Sequence, residues 1–186
     1  MSPHRFAWIA LLALCCTAQA QAGIDVDWSR ATRRFTPAQK AAIEKRIDEA
    51  ALLFLDESYA DLGKLDIRAH ARTVLVQIRD FGTNRERGLH LSGAVFLNQD
   101  RLDDLDAARL TLVHELSHVY DFLALSEMMM DYLLSPESGD GRVAEKRLDE
   151  PMRAMGRIKD AAEKRAHERM TRYAHDQGLK VPEVHE

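Results

Sequence analysis

Residues 110–122, LTLVHELSHVYDF, set one imidazole four positions from another, with a carboxylate beside the first. The surrounding pattern is helical. Leu110, Val113, Leu116 and Tyr120 continue one apolar stripe, Leu112, Val119 and Leu123 add a second, and Asp103 or Asp104 can cap the start. An element apolar on so much of its circumference belongs in the middle of a domain. Side chains four apart on a helix lie nearly above one another, about 6 Å along the axis. His114 and His118 can therefore aim two ring nitrogens at one ion. Glu115 sits about 100° round from His114, beside that stripe, where its carboxylate is free to hold a water. His-Glu-x-x-His is the arrangement that zinc hydrolysis needs: two neutral imidazoles as ligands and a nearby proton acceptor. The alternative is a buried helix whose two histidines are satisfied by hydrogen bonds alone.

Upstream, TPAQKAAIEKRIDEAALLFLDESYADLG (36–63) reads as a long amphipathic helix. Thr36 and Gln39 form a capping box, Pro37 suits the first turn, and Gly63 supplies a stop. Ile43, Ile47, Ala50, Phe54 and Ser58 share one stripe. RTVLVQIRDF (72–81) alternates as a strand, with Val74, Val76 and Ile78 on one face. GTNRERG (82–88) is turn-like and LHLSGAVFLN (89–98) is extended again, so the two extended runs are expected to pair as an antiparallel hairpin, with Gly93 at a bulge or kink.

Downstream, SEMMMDYLL is a second helical stretch stopped at Ser135-Pro136, its methionines read as core packing. ESGDG forms a loop, a charged helical region runs from about 142 to 177 with a break at Pro151, and 179–186 is expected to be a flexible tail.

The first 22 residues read as an address, with Arg5 before an apolar run from Phe6 to Cys16 and Ala-Gln-Ala repeats ending at Ala20 and Ala22. That run is shorter than the roughly 20 residues of a spanning helix. Export to a periplasm or the exterior, with cleavage, is the expectation, leaving residues 23–178 as one domain without stable membrane insertion. Both cysteines, Cys15 and Cys16, fall inside the removed segment. Any metal in the mature chain is then held by His, Asp or Glu. Loss of Arg5 takes the formal charge from −4 to −5, which gives no footprint for nucleic acid.

A catalytic zinc needs a third protein ligand. Asp121 and Ala124 stand where the metzincin pattern has its Gly and its third ligand, which excludes that arrangement. GRVAEKRLDEPM offers Glu145 and Asp149 at the spacing of the gluzincin Glu-x-x-x-Asp, 27 residues past His118. Over roughly 72–156 the chain therefore resembles gluzincin zinc metallopeptidases, and HELSHVYD is similar to the His-Glu-x-x-His-x-x-Asp variant of the lethal-factor type. The resemblance implies an α+β fold, a mainly helical minimal zincin with a small antiparallel or mixed sheet on the motif helix. It implies one catalytic zinc on His114, His118 and Glu145, with Glu137 and Glu150 as alternatives for the third position. Glu115 is the implied general base. Asp149 supports the first His from outside the ligand set, and Asp121 stands near the site or serves the fold. An edge strand at Gly93, Ala94 and Val95 lines the cleft for an extended peptide or protein substrate. The lethal-factor type has a Tyr shortly before its ligand Glu, and none lies between Tyr132 and Glu145 here. Tyr132, His167, Tyr173 and His175 are the remaining candidates for stabilising an oxyanion.

The function expected from this set is an exported zinc peptidase. Its competitor is a non-catalytic periplasmic helical interaction module, or a degenerate zincin that keeps a structural metal. Oligomeric state and cleavage specificity are not written in the residues.

Overall fold

The computed structural model describes residues 23–70, 74–91, 93–134 and 161–181. Residues 1–22, where an address is expected, lie outside them, as do Glu137, Glu145, Asp149, Glu150 and Pro151. The described chain is α+β, as expected, with a four-stranded mixed sheet and long helices.

Strand β1 (Val26–Arg30) leads to helix α1 (Pro37–Leu52). The capping box is formed: Thr36 Oγ1 accepts from the Gln39 N–H at 3.2 Å, and Gln39 Oε1 accepts from the Thr36 N–H at 2.9 Å. Ile43, Ile47 and Ala50 are buried. The helix ends well before Gly63. A 3₁₀ turn, Leu53–Leu55, buries Phe54, and Asp56 then leaves helical geometry because its carboxylate accepts from the backbone and hydroxyl of Ser58. Such local side-chain bonds compete with the helical ladder. Gly63, at φ +114°, lies in the loop that follows.

The expected hairpin is replaced by a different pairing. Strand β2 (Leu75–Arg79) runs parallel to β1 on one side and parallel to β4 (Ala94–Asn98) on the other. The antiparallel partner of β4 is β3 (Gly88–Leu91), so 89–98 is itself the hairpin. Gly93 lies in a turn just before β4, and its carbonyl accepts from the Leu75 N–H at 3.0 Å. Alternation in 74–79 was readable, but direction is set by which neighbour completes the ladder. The order β1-β2-β4-β3 has a further consequence. Ala94 and Val95 are flanked on both sides, so among the described residues the edge strand beside the motif helix is β3, not the expected 93–95 segment.

Helix α2 (Leu105–Leu134) is one continuous element, joining the two helices anticipated from 103–125 and 126–134. Asp104 caps it, accepting from the Ala107 N–H at 3.0 Å. Leu110, Leu112, Val113, Leu116, Val119 and Tyr120 are all buried, so both stripes are covered. Met128 and Met130 are exposed, contrary to the core role expected of them. Helix α3, residues 161–176 in the described part, packs Ala166, Met170, Tyr173 and Ala174 inward. Leu179 and Val181 lie against the core instead of fraying from 179.

Tyr120 ties this core to the loop after α1. Its ring stacks on Phe54 with centroids 4.9 Å apart, and its hydroxyl donates to the Gly63 carbonyl at 2.8 Å while accepting from the Leu62 N–H at 2.7 Å. Tyr120→Phe keeps the stack and strands both backbone partners. The expected loss is about 1–3 kcal/mol of stability, read as a lower urea midpoint with an unchanged slope.

Candidate metal centre

Helix α2 carries His114, Glu115 and His118 on the flank that faces β3 and α3. His114 and His118 point their Nε2 atoms at each other across 3.3 Å. The third member of this group comes from α3. Glu163 Oε1 lies 3.1 Å from His114 Nε2, and Glu163 Oε2 lies 3.2 Å from His118 Nε2. In a tetrahedral zinc site with bonds of 2.0–2.1 Å, neighbouring donor atoms stand about 3.3 Å apart. The separation of the two nitrogens matches that edge length, the carboxylate reaches each of them through one of its oxygens, and two imidazoles with a carboxylate are a donor set that zinc accepts. His118 is buried, whereas Glu163 is 72% exposed, so the group is closed by protein on one side and open to solvent on the other.

Burial pushes the His118 imidazole down to about 3, helped by the nearby His90, His114, Arg169 and Arg165. It is held neutral, which is the form that binds a metal.

Glu115 sits apart from this group, buried between α2 and β3. Its Oε2 lies 3.5 Å from His90 Nδ1 on β3. The strand approaches so closely that a Cβ on Gly88 would fall 2.8 Å from Thr111 Cγ2 and 2.9 Å from Glu115 Cγ. Only glycine allows that contact. The ring of His90 lies flat on His118, with centroids 3.8 Å apart and planes 14° from parallel. Among the described residues, His90, Glu115 and His118 form a second set of donors near enough to share an ion.

Asp121, one turn beyond His118, serves the fold. Its Oδ1 accepts from Arg169 Nη1 at 2.9 Å and its Oδ2 from Arg165 Nη2 at 2.5 Å. Arg169 also pairs with Asp61 and lies over the Tyr120 ring. These arginines follow Glu163 by two and six residues on α3, so the clamp that seats α3 on α2 also delivers Glu163 to the histidines.

The other sequence candidates separate clearly. Gly93, Ala94 and Val95 lie one strand further in. Tyr173 is buried with its hydroxyl bonded to Arg109, and His167 and His175 are exposed. Tyr132 falls in the last turn of α2. Glu163 and His90 were missed. Glu163 reads as one acid among many on a charged helix. His90 carried a weak signal, since strand alternation sets it on the face opposite Leu89 and Leu91.

The neutral state of His118 gives a pH dependence. Its folded value lies below the ordinary 6.5, so between about 6.5 and 3 the unfolded chain binds more protons. The associated stability is complete above that window and is lost as pH falls through it. In metal-free protein the urea midpoint should therefore fall more steeply with acid than in His118→Gln. Equal slopes would show that His118 is not held neutral.

Comparison of the chain with family models, with curated proteins and with solved structures found no match.

Proposed function

We propose that the protein is a zinc-dependent peptidase in which His114, His118 and Glu163 hold the metal and Glu115 is the general base. The observation that carries this reading is the convergence of three donor groups, two imidazole nitrogens 3.3 Å apart and a carboxylate whose two oxygens lie 3.1 and 3.2 Å from them, with a fourth group, Glu115, held beside them and not among them. Zinc, when bound, supplies a Lewis acid that acidifies a water and polarises a scissile carbonyl. The chain's own residues do the rest. The buried, neutral imidazole of His118 and the partly exposed His114 present fixed donors, and Glu163 completes the set from the solvent side. The Glu115 carboxylate takes the proton of the attacking water and returns it to the leaving amine. Strand β3, the sheet's edge among the described residues, runs beside Glu115 from Gly88 to Leu91 and offers backbone groups to which an extended peptide can add as a further strand. Residues 1–22 are proposed to direct export and to be removed.

Glu163 takes the place that the gluzincin resemblance assigns to Glu145. Its spacing from His118 is larger, and among the described residues it is the carboxylate that stands against both imidazoles. Elemental analysis of the purified mature chain should give about one zinc per chain, and none in His118→Ala. Glu163→Ala should lower zinc retention on dialysis at least tenfold while Glu145→Ala leaves it unchanged. The reverse pattern would restore Glu145.

Glu115→Gln separates an enzyme from a structural metal site. It should keep its zinc and lose at least about a hundredfold in hydrolysis of fluorescein-labelled casein or a mixed peptide library. A wild type that holds zinc and cuts neither would favour the non-catalytic alternative.

A further inference from the structure

The reading above leaves one polar contact of the site unused. His90 projects from strand β3 between Glu115 and His118, touching both. Three roles are chemically available to it: a further metal ligand, a contact to substrate, or a support for the two residues it touches.

Ring geometry decides against the first. An imidazole binds a metal along a nitrogen lone pair, which lies in the plane of the ring. An ion placed in the plane of His118, off the Nε2 that faces His114 and Glu163, stands roughly 3.5 Å out of the near-parallel plane of His90, given zinc–nitrogen bonds of 2.0–2.1 Å. While the two rings are stacked, His90 cannot share that ion. The alternative set, His90 with Glu115 and His118, would need the stack to open and would take the base as a ligand.

What the stacked geometry does permit is a contact through Nδ1. That atom lies 3.5 Å from Glu115 Oε2, longer than a formed hydrogen bond, and catalytic contacts of this kind shorten when a ligand is bound. Glu115 has little room to evade it, because Gly88 presses on its Cγ from the same strand. The carboxylate is thus bracketed by the backbone at Gly88 and the imidazole at position 90, two residues along the strand on the same face.

We propose that His90 is a positioning residue: it donates its Nδ1–H to Glu115 and lies flat on His118, fixing the orientations of the base and of one metal-facing imidazole without joining the ligand set. The proposal rests on the peptidase reading for its purpose, but its contact can be tested without metal or substrate. It requires a particular tautomer. An unconstrained neutral histidine favours the proton on Nε2, whereas this contact requires it on Nδ1.

The test is a long-range ¹H–¹⁵N correlation spectrum of the histidine rings in metal-free protein, at a pH well above the ordinary imidazole value of about 6.5. His90 should appear as the Nδ1–H tautomer in wild type and revert to Nε2–H in Glu115→Ala. An Nε2–H tautomer in wild type would overturn the proposal, and that measurement stands even if the variant does not fold. A His90 tautomer unaffected in a folded Glu115→Ala protein would overturn it as well. At saturating zinc, His90→Ala should still bind one zinc per chain, and failure to bind it there would overturn the proposal in favour of His90 as a ligand. With labelled casein, His90→Ala should lose about ten- to a hundredfold in kcat with KM little changed. His90→Asn, which keeps an N–H near the Nδ1 position, should recover most of it. Absence of zinc from wild type would sink the peptidase reading while leaving the tautomer result intact, so the two failures are distinguishable.

Discussion

Helix α2 is apolar on most of its surface and must be covered on nearly every side, yet its middle carries two imidazoles and two carboxylates. Buried polar groups cost free energy unless they are paired. The architecture around the helix follows from that requirement. Strand β3 brings His90 to Glu115, helix α3 brings Glu163 to the histidines and two arginines to Asp121, and the loop after α1 brings backbone groups to Tyr120. Among the described residues no buried side-chain nitrogen or oxygen is left without a partner.

The sequence carried the parts of this that depend on local periodicity. The two stripes of 110–123, the Thr36–Gln39 capping box and the alternation of Val74, Val76 and Ile78 are all consequences of neighbours within a few residues, and all three are present. What it did not carry was decided by distant partners. Strand direction in 89–98 turns on β4 inserting between β2 and β3, a choice with no local marker. The end of α1 turned on one aspartate preferring its own turn to the helix.

The candidate site divides in the same way. His114, Glu115 and His118 are legible because a helix fixes their relative positions from spacing alone. A third donor comes from another element, and spacing gives it no such constraint. Glu145 and Glu163 both lie in the charged region after 142, and a fixed-interval pattern favours the former. The feature that singles out Glu163 is its place two residues ahead of an arginine held by Asp121, which requires knowing that Asp121 faces α3. The buried stripe Ala166, Arg169, Met170, Tyr173 and Ala174 does repeat at helical spacing. It fixes which face of α3 turns inward, and Glu163, three residues before Ala166 and seven before Met170, lies on that same face ahead of its buried part.

The same clamp bears on the electrostatics of a bound cation. Arg165 and Arg169 depress the proton affinity of His118, and a positive ion at its Nε2 would meet the same repulsion. Two unit charges a few ångströms apart at the effective dielectric of a protein site interact by a few kcal/mol, enough to decide whether an ion stays. Asp121 meets both guanidinium groups and Asp61 meets Arg169, so each cation is matched close by. Among the described residues, the ion-pair partners of Glu163 are the two imidazoles. Asp121 and Asp61 thus have a second effect beyond seating α3: they offset part of the field of the arginines that seat it. An arginine clamp without them would bring Glu163 to the histidines and oppose any cation bound there.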